Sequence, residues 1–153
     1  MTRRVVLASA VVLGVALPLV ADQAPRRDLS VDEQRGGHTL ARHVGRTDTQ
    51  LRQRLRDQPN ISAASTYSDR ETAERVIGIV LEQSADRVAS WTRRRGSRPN
   101  LALRTVDSRG PPVGRVIERG QSASLTARSA VVVLRWDERR ASFYVLTSYP
   151  ENR

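Results

Sequence analysis

The sequence predicts an α+β domain in which N-terminal helices pack on a C-terminal antiparallel sheet. Two observations carry that prediction. Apolar residues recur at helical spacing up to about residue 94, and from Leu101 onward they alternate as in strands. A third observation bounds the stability: with no cysteine there is no disulfide staple, so 153 residues must supply a modest core of their own. Aromatics are only 4% of the chain, so Leu, Val, Ile and Ala have to build that core.

Taken in order, Ser30 and Glu33 have capping-box spacing for a first helical turn, which Gly36-Gly37 interrupts. The run HTLARHV (38–44) reads as a second short helix ended by Gly45. Thr47 and Gln50 form another capping box, opening a helix to about Asp57 in which Leu51 and Leu55 stack at i, i+4, and Pro59 stops it. Ser68 and Glu71 repeat the signal before the longest predicted helix, 69–94, where Ala73, Val76, Ile77, Val80, Leu81, Val88 and Trp91 share one face. Residues 101–106 and 113–118 read as strands separated by a turn-rich loop at 107–112. Residues 131–136 and 142–149 read as stronger strands, joined as a hairpin by Asp137-Glu138-Arg139-Arg140.

Residues 1–21 read as an export signal: Arg3 and Arg4 precede an apolar run at 5–20, and Ala21 sits before the cleavage point. The run also approaches the ~20 residues that span a bilayer, so an uncleaved membrane anchor is the alternative. Residues 22–28 form a polar linker and 29–153 the domain. The expected location is periplasmic or secreted, with a signal-anchored form as the alternative.

Every basic side chain is arginine, and 26 of them against 16 acids give a formal charge of +10, which falls to +8 once Arg3 and Arg4 leave with the signal. Such a surface attracts polyanions, either nucleic acid or an anionic membrane, and arginine adds bidentate phosphate contacts. The bland alternative is a solvated basic coat. Thiol nucleophiles and thiolate metal sites are excluded, and two histidines without HExxH-type spacing argue against zinc. No cofactor is predicted. His38 and His43 look like an acid–base pair, but five residues on one helix is about 500° of rotation, leaving them roughly 140° apart. Both would reach one phosphate only if the Gly36-Gly37 end is unwound.

The run GGHTLARHVGRTDTQLRQRL (36–55) resembles the signature of the bacterial RNase A-like toxin domain of contact-dependent growth inhibition proteins. ISAASTYSDRETAE (61–74), Gly120 within RGQS, and VVVLRWDERRASFYVLTSYP (131–150) resemble further segments of that family in the same order. The resemblance implies an RNase A-like fold without disulfides and metal-independent endoribonuclease activity. It also implies RNA as substrate, tRNA included, and neutralisation by a cognate immunity protein. The family's site is a histidine followed eleven residues later by an arginine, then a threonine and tyrosine as T-x-Y on the last strand. His43 and Arg54 have that spacing, and Thr147 and Tyr149 supply the T-x-Y.

The chemistry of these four side chains suggests how they would divide the reaction. His43 takes the proton of the 2′-hydroxyl, Arg54 binds the phosphate, Thr147 holds a non-bridging oxygen or a base edge, and Tyr149 donates a hydrogen bond or acts as acid, with His38 as the alternative partner. Thr147 and Tyr149 are two apart on a strand and so face one side; Phe143 and Val145 are expected on that same face. A non-catalytic, arginine-rich binder of polyanions and a metal-dependent nuclease are the rival readings.

Overall fold

The structure, a computed structural model, describes residues 25–106 and 110–152. The signal-or-anchor reading of residues 1–21, the start of the linker and part of the 107–112 loop lie outside the described residues. The helices are α1 (Leu29–Gln34), α2 (Thr39–His43), α3 (Asp48–Asp57), α4 (Arg70–Gln83) and α5 (Ala85–Thr92). The strands are β1 (Ala63–Tyr67), β2 (Leu101–Val106), β3 (Gly114–Glu118), β4 (Leu125–Ala127), β5 (Ser129–Asp137) and β6 (Ser142–Glu151).

The predicted capping box of α3 forms in full: Thr47 Oγ1 accepts from Gln50 N, and Gln50 Oε1 accepts from Thr47 N. The other two caps shift. Asp28, not Ser30, caps α1 by accepting from Ser30 N, while the Glu33 carboxylate accepts from Leu40 N at the start of α2. Asp69, not Ser68, caps α4 through Thr72 N at 2.7 Å. In both places an aspartate within two residues of the serine supplies a charged acceptor for the free N–H groups, which the helix dipole favours.

The single helix expected over 69–94 is instead two. Ser84 leaves helical geometry (φ −105°, ψ 16°), and α5 restarts after it with Trp91 edge-on against Trp136 and Phe143. Tertiary packing of the large indole outweighs the continuous periodicity. Residues 25–28 do not hang free: Arg27 N donates to Glu74 O, and Pro25 runs so close to Gly78 that no Cβ would fit there.

The strands form two three-stranded antiparallel sheets, ordered β1-β3-β4 and β2-β5-β6, rather than one. The sequence reading missed β1 and β4; ISAASTY is too rich in small polar residues to show an apolar alternation. The main core gathers Leu29, Tyr67, Val76, Ile77, Val80, Leu103, Val132, Leu134 and Val145 between the sheets and α4–α5. Leu51 and Leu55 of α3 close a second, smaller core against Ala64 and Ile117 on the other face of the first sheet. Tyr67, wholly buried, ties the two sheets together through its hydroxyl and Ser148 Oγ at 2.5 Å.

One irregularity decides which way the last strand faces. Leu134 pairs with Val145 but its neighbour Val133 pairs with Thr147, so Leu146 is a β-bulge. Residues directly opposite in a ladder share a face, and Val133 and Leu134 face opposite ways. The expectation that Phe143 and Val145 lie on the face of Thr147 and Tyr149 is therefore corrected. Val145 points into the core with Leu134, while Thr147 and Tyr149 point to the other side with Val133 and Val131.

Candidate active site

A cleft of about 760 Å³ opens where the two sheets diverge. Ala63, Ser65, Val116 and Glu118 line it from the first sheet, and Arg104, Thr147, Tyr149 and Glu151 from the second. Strand alternation explains both sets: Ser65 pairs with Val116 and Ala63 with Glu118, while Arg104, Val131 and Tyr149 stand in one cross-strand row. His38, His43 and Arg54 close the cleft from the helical side.

His43 ends α2 and is only 5% exposed. Its Nδ1 lies 3.3 Å from Ser65 O, a carbonyl that can only accept, so the Nδ1–H tautomer satisfies it and leaves the lone pair on Nε2. Arg54 Nη1, which can only donate, stands 3.4 Å from both Nδ1 and Nε2, so the guanidinium lies across the imidazole rather than along one lone pair. The phenol ring of Tyr149 is tilted over the imidazole, with centroids 5.5 Å apart. Residues more than a hundred positions apart in the chain thus meet around one ring.

Burial first, and the Arg54 guanidinium second, push the His43 imidazole down to about 3, so at neutral pH it is an uncharged proton acceptor. Arg54 is itself pushed down from the usual arginine range by burial and by Arg42 nearby. Its other acceptors, Gln58 Oε1 at 3.3 Å and Arg42 O at 3.5 Å, are uncharged, and among the described residues no carboxylate pairs with it. Of the three alternating arginines of α3, Arg52 is spent on Ser122 O and Arg56 on Gln53, and Arg54 is the one that reaches the imidazole.

Thr147 supplies a different kind of incompleteness: its Oγ1 is buried and has no hydrogen-bond partner among the described residues. An orphaned hydroxyl of that sort costs stability, ordinarily about 1–3 kcal/mol, unless something fills the cleft beside it.

His38 differs from the simple helical geometry. It caps α2 from outside with φ −148° and ψ 25°, so the 140° separation does not apply and both histidines line the same cleft. Its imidazole is shifted below the usual histidine range by burial and by Arg42. The sequence reading did not find Ser65, Arg104, Glu118 or Glu151. Ser65 contributes through its backbone, which no side-chain pattern reveals, and the others take their place from strand register. Among the described residues no group of three or more His, Asp or Glu side chains is arranged to hold a metal ion.

The family described as the Bacterial CdiA-CT RNAse A domain matches residues 37–150. A solved structure, the CdiA-CT/CdiI complex from Y. kristensenii 33638, is similar at 26% identity and a TM-score of 0.66, over 76% of this chain and 100% of that one. No curated protein matches by sequence. With the matched span covering both sheets, the cleft and the helices that close it, the chain belongs to the bacterial CdiA-CT RNase A domain family.

Proposed function

We propose that the chain is a toxin-type endoribonuclease that cleaves RNA by transphosphorylation, without a metal ion, through His43, Arg54, Thr147 and Tyr149. The observation that carries this reading is the meeting of a neutral, buried imidazole with an unneutralised guanidinium and an orphaned hydroxyl at one cleft.

In the proposed reaction the 2′-hydroxyl proton passes to His43 Nε2 as the 2′-oxygen bonds to phosphorus. Arg54 and Thr147 hold the non-bridging oxygens as charge builds on the phosphorane. The bond to the 5′-oxygen then breaks, and that oxygen takes a proton from Tyr149 or, alternatively, from His38 across the same cleft. The products are a 2′,3′-cyclic phosphate and a free 5′-hydroxyl. Arg54 does double service here, since the phosphate it binds offsets its charge and makes His43 a stronger base only when substrate is present.

The test is incubation of the purified protein with tRNA and single-stranded RNA in EDTA. The expected result is cleavage to 2′,3′-cyclic ends, abolished in His43→Ala and kept in Arg52→Ala. Intact RNA would favour the non-catalytic binder, and activity lost to EDTA alone would favour a metal-dependent nuclease. A cognate neutralising protein belongs to the same proposal, because the similar solved structure is a complex with CdiI. Expression in a cell without such a partner should arrest growth, and His43→Ala should relieve the arrest.

A further inference from the structure

The edge of β6 is held at and before its bulge by α1 and the α1–α2 corner, and two of the residues involved, Asp32 and Arg35, precede the family match. Asp32 is 1% exposed, yet its carboxylate is fully engaged. Oδ1 accepts from Val145 N at 2.9 Å and from Arg27 Nη2 at 2.7 Å, and Oδ2 accepts from Arg27 Nε at 2.9 Å. The next backbone group along that edge, Leu146 O, accepts from His38 N at 3.0 Å. Further back, Arg35 Nη1 donates to Phe143 O at 2.8 Å.

The corner between α1 and α2 can come this close because residue 37 is glycine. A Cβ there would meet Val145 O at 2.6 Å and Asp32 O at 2.8 Å, both backbone atoms with nowhere to go. A bulge leaves backbone groups out of the ladder and bends its strand. Here the outer-edge groups at the bulge are not left to water: one carboxylate and one amide fix Val145 N and Leu146 O, and the strand beyond carries Thr147 and Tyr149.

We propose that Asp32 is a positioning residue, clamping β6 at its bulge so that Thr147 and Tyr149 stand over His43. The inference rests on the ribonuclease reading above. Asp32 touches none of the reacting groups; it acts on them through Val145 N. A site whose groups drift by about 1 Å can lose ~100-fold in rate, and that is the size of loss expected in turnover of a short single-stranded RNA by Asp32→Ala. Asp32→Asn keeps an oxygen for Val145 N while breaking the ion pair, and should recover most of that loss.

A double-mutant cycle separates positioning from plain destabilisation. Activities are compared per folded molecule, with folding followed by circular dichroism. If Asp32 works through the strand, adding Asp32→Ala to Thr147→Val/Tyr149→Phe should cost less than about threefold more. Multiplicative losses would overturn the role given to Asp32 while leaving the site intact. Unchanged turnover in Thr147→Val/Tyr149→Phe would overturn the site assignment and the clamp together. Should Asp32→Ala fail to fold, Arg27→Met/Asp32→Ala removes the orphaned guanidinium as well and carries the same cycle.

Discussion

His43 and Arg54 set each other's behaviour, and that coupling has a measurable sign. A general base works only when unprotonated, so the acidic limb of kcat/KM follows the imidazole of the free enzyme. With burial and Arg54 holding that imidazole near 3, the limb should lie well below 6.5. Arg54→Gln removes one of the two main causes: the limb should move up toward 6.5, and the rate at pH 7 should fall by about 100-fold or more as transition-state charge loses its partner. A limb that stays in place would mean that Arg54 is not felt at His43 in solution. Thr147 makes an opposite kind of prediction. Its hydroxyl has no partner among the described residues, so Thr147→Val discards no bond that they make. Its urea midpoint should stay level or rise, by up to ~1 kcal/mol of stability, while turnover falls about tenfold. Loss of both together would assign Thr147 to the core rather than to the chemistry.

At the scale of elements, the corner at Gly36-Gly37 shows how much a local rule can hide. The glycine pair reads as a helix breaker, and Gly36 does adopt φ +99°. The demand on Gly37 is different and invisible in the sequence, because it comes from the β6 backbone more than a hundred residues on. Gly37→Ala should therefore cost about 1–3 kcal/mol in denaturant titrations, as overpacking against atoms that cannot give way does. A neutral effect would show that the α1–α2 corner is free to rise off β6.

The same distinction explains what was legible beforehand. The α3 capping box, the glycine-ended α2 and the β5–β6 hairpin are set by neighbours in the chain and could be read directly. The break at Ser84, the strand β1 and the bulge at Leu146 are decided by distant partners: Trp91 against Trp136, Ala63–Tyr67 against β3, and α1 against β6. So it is with the site. The spacing of His43 and Arg54 pointed to them only through the family resemblance, whereas Ser65 O and Asp32 become visible only once the sheets are folded.

For the molecule as a whole, one buried ring couples stability to pH in a chain that has no disulfides to mask the effect. In the unfolded chain His43 titrates at its ordinary value near 6.5; in the folded domain it takes up a proton only near 3. Between those limits unfolding binds a proton, so stability is complete above pH 6.5 and declines as pH falls, by up to ~1.4 kcal/mol per unit, until the folded ring also protonates. From pH 7 to 4.5 that amounts to ~2.5 kcal/mol, a large share of the 5–15 kcal/mol typical of domains. His43→Gln, which cannot titrate, should show a flatter dependence of its urea midpoint over this interval, the remaining slope coming from other titrating groups. Parallel slopes for the two proteins would mean that the imidazole is already charged in the native state, and the neutral base at the centre of the proposed mechanism would go with it.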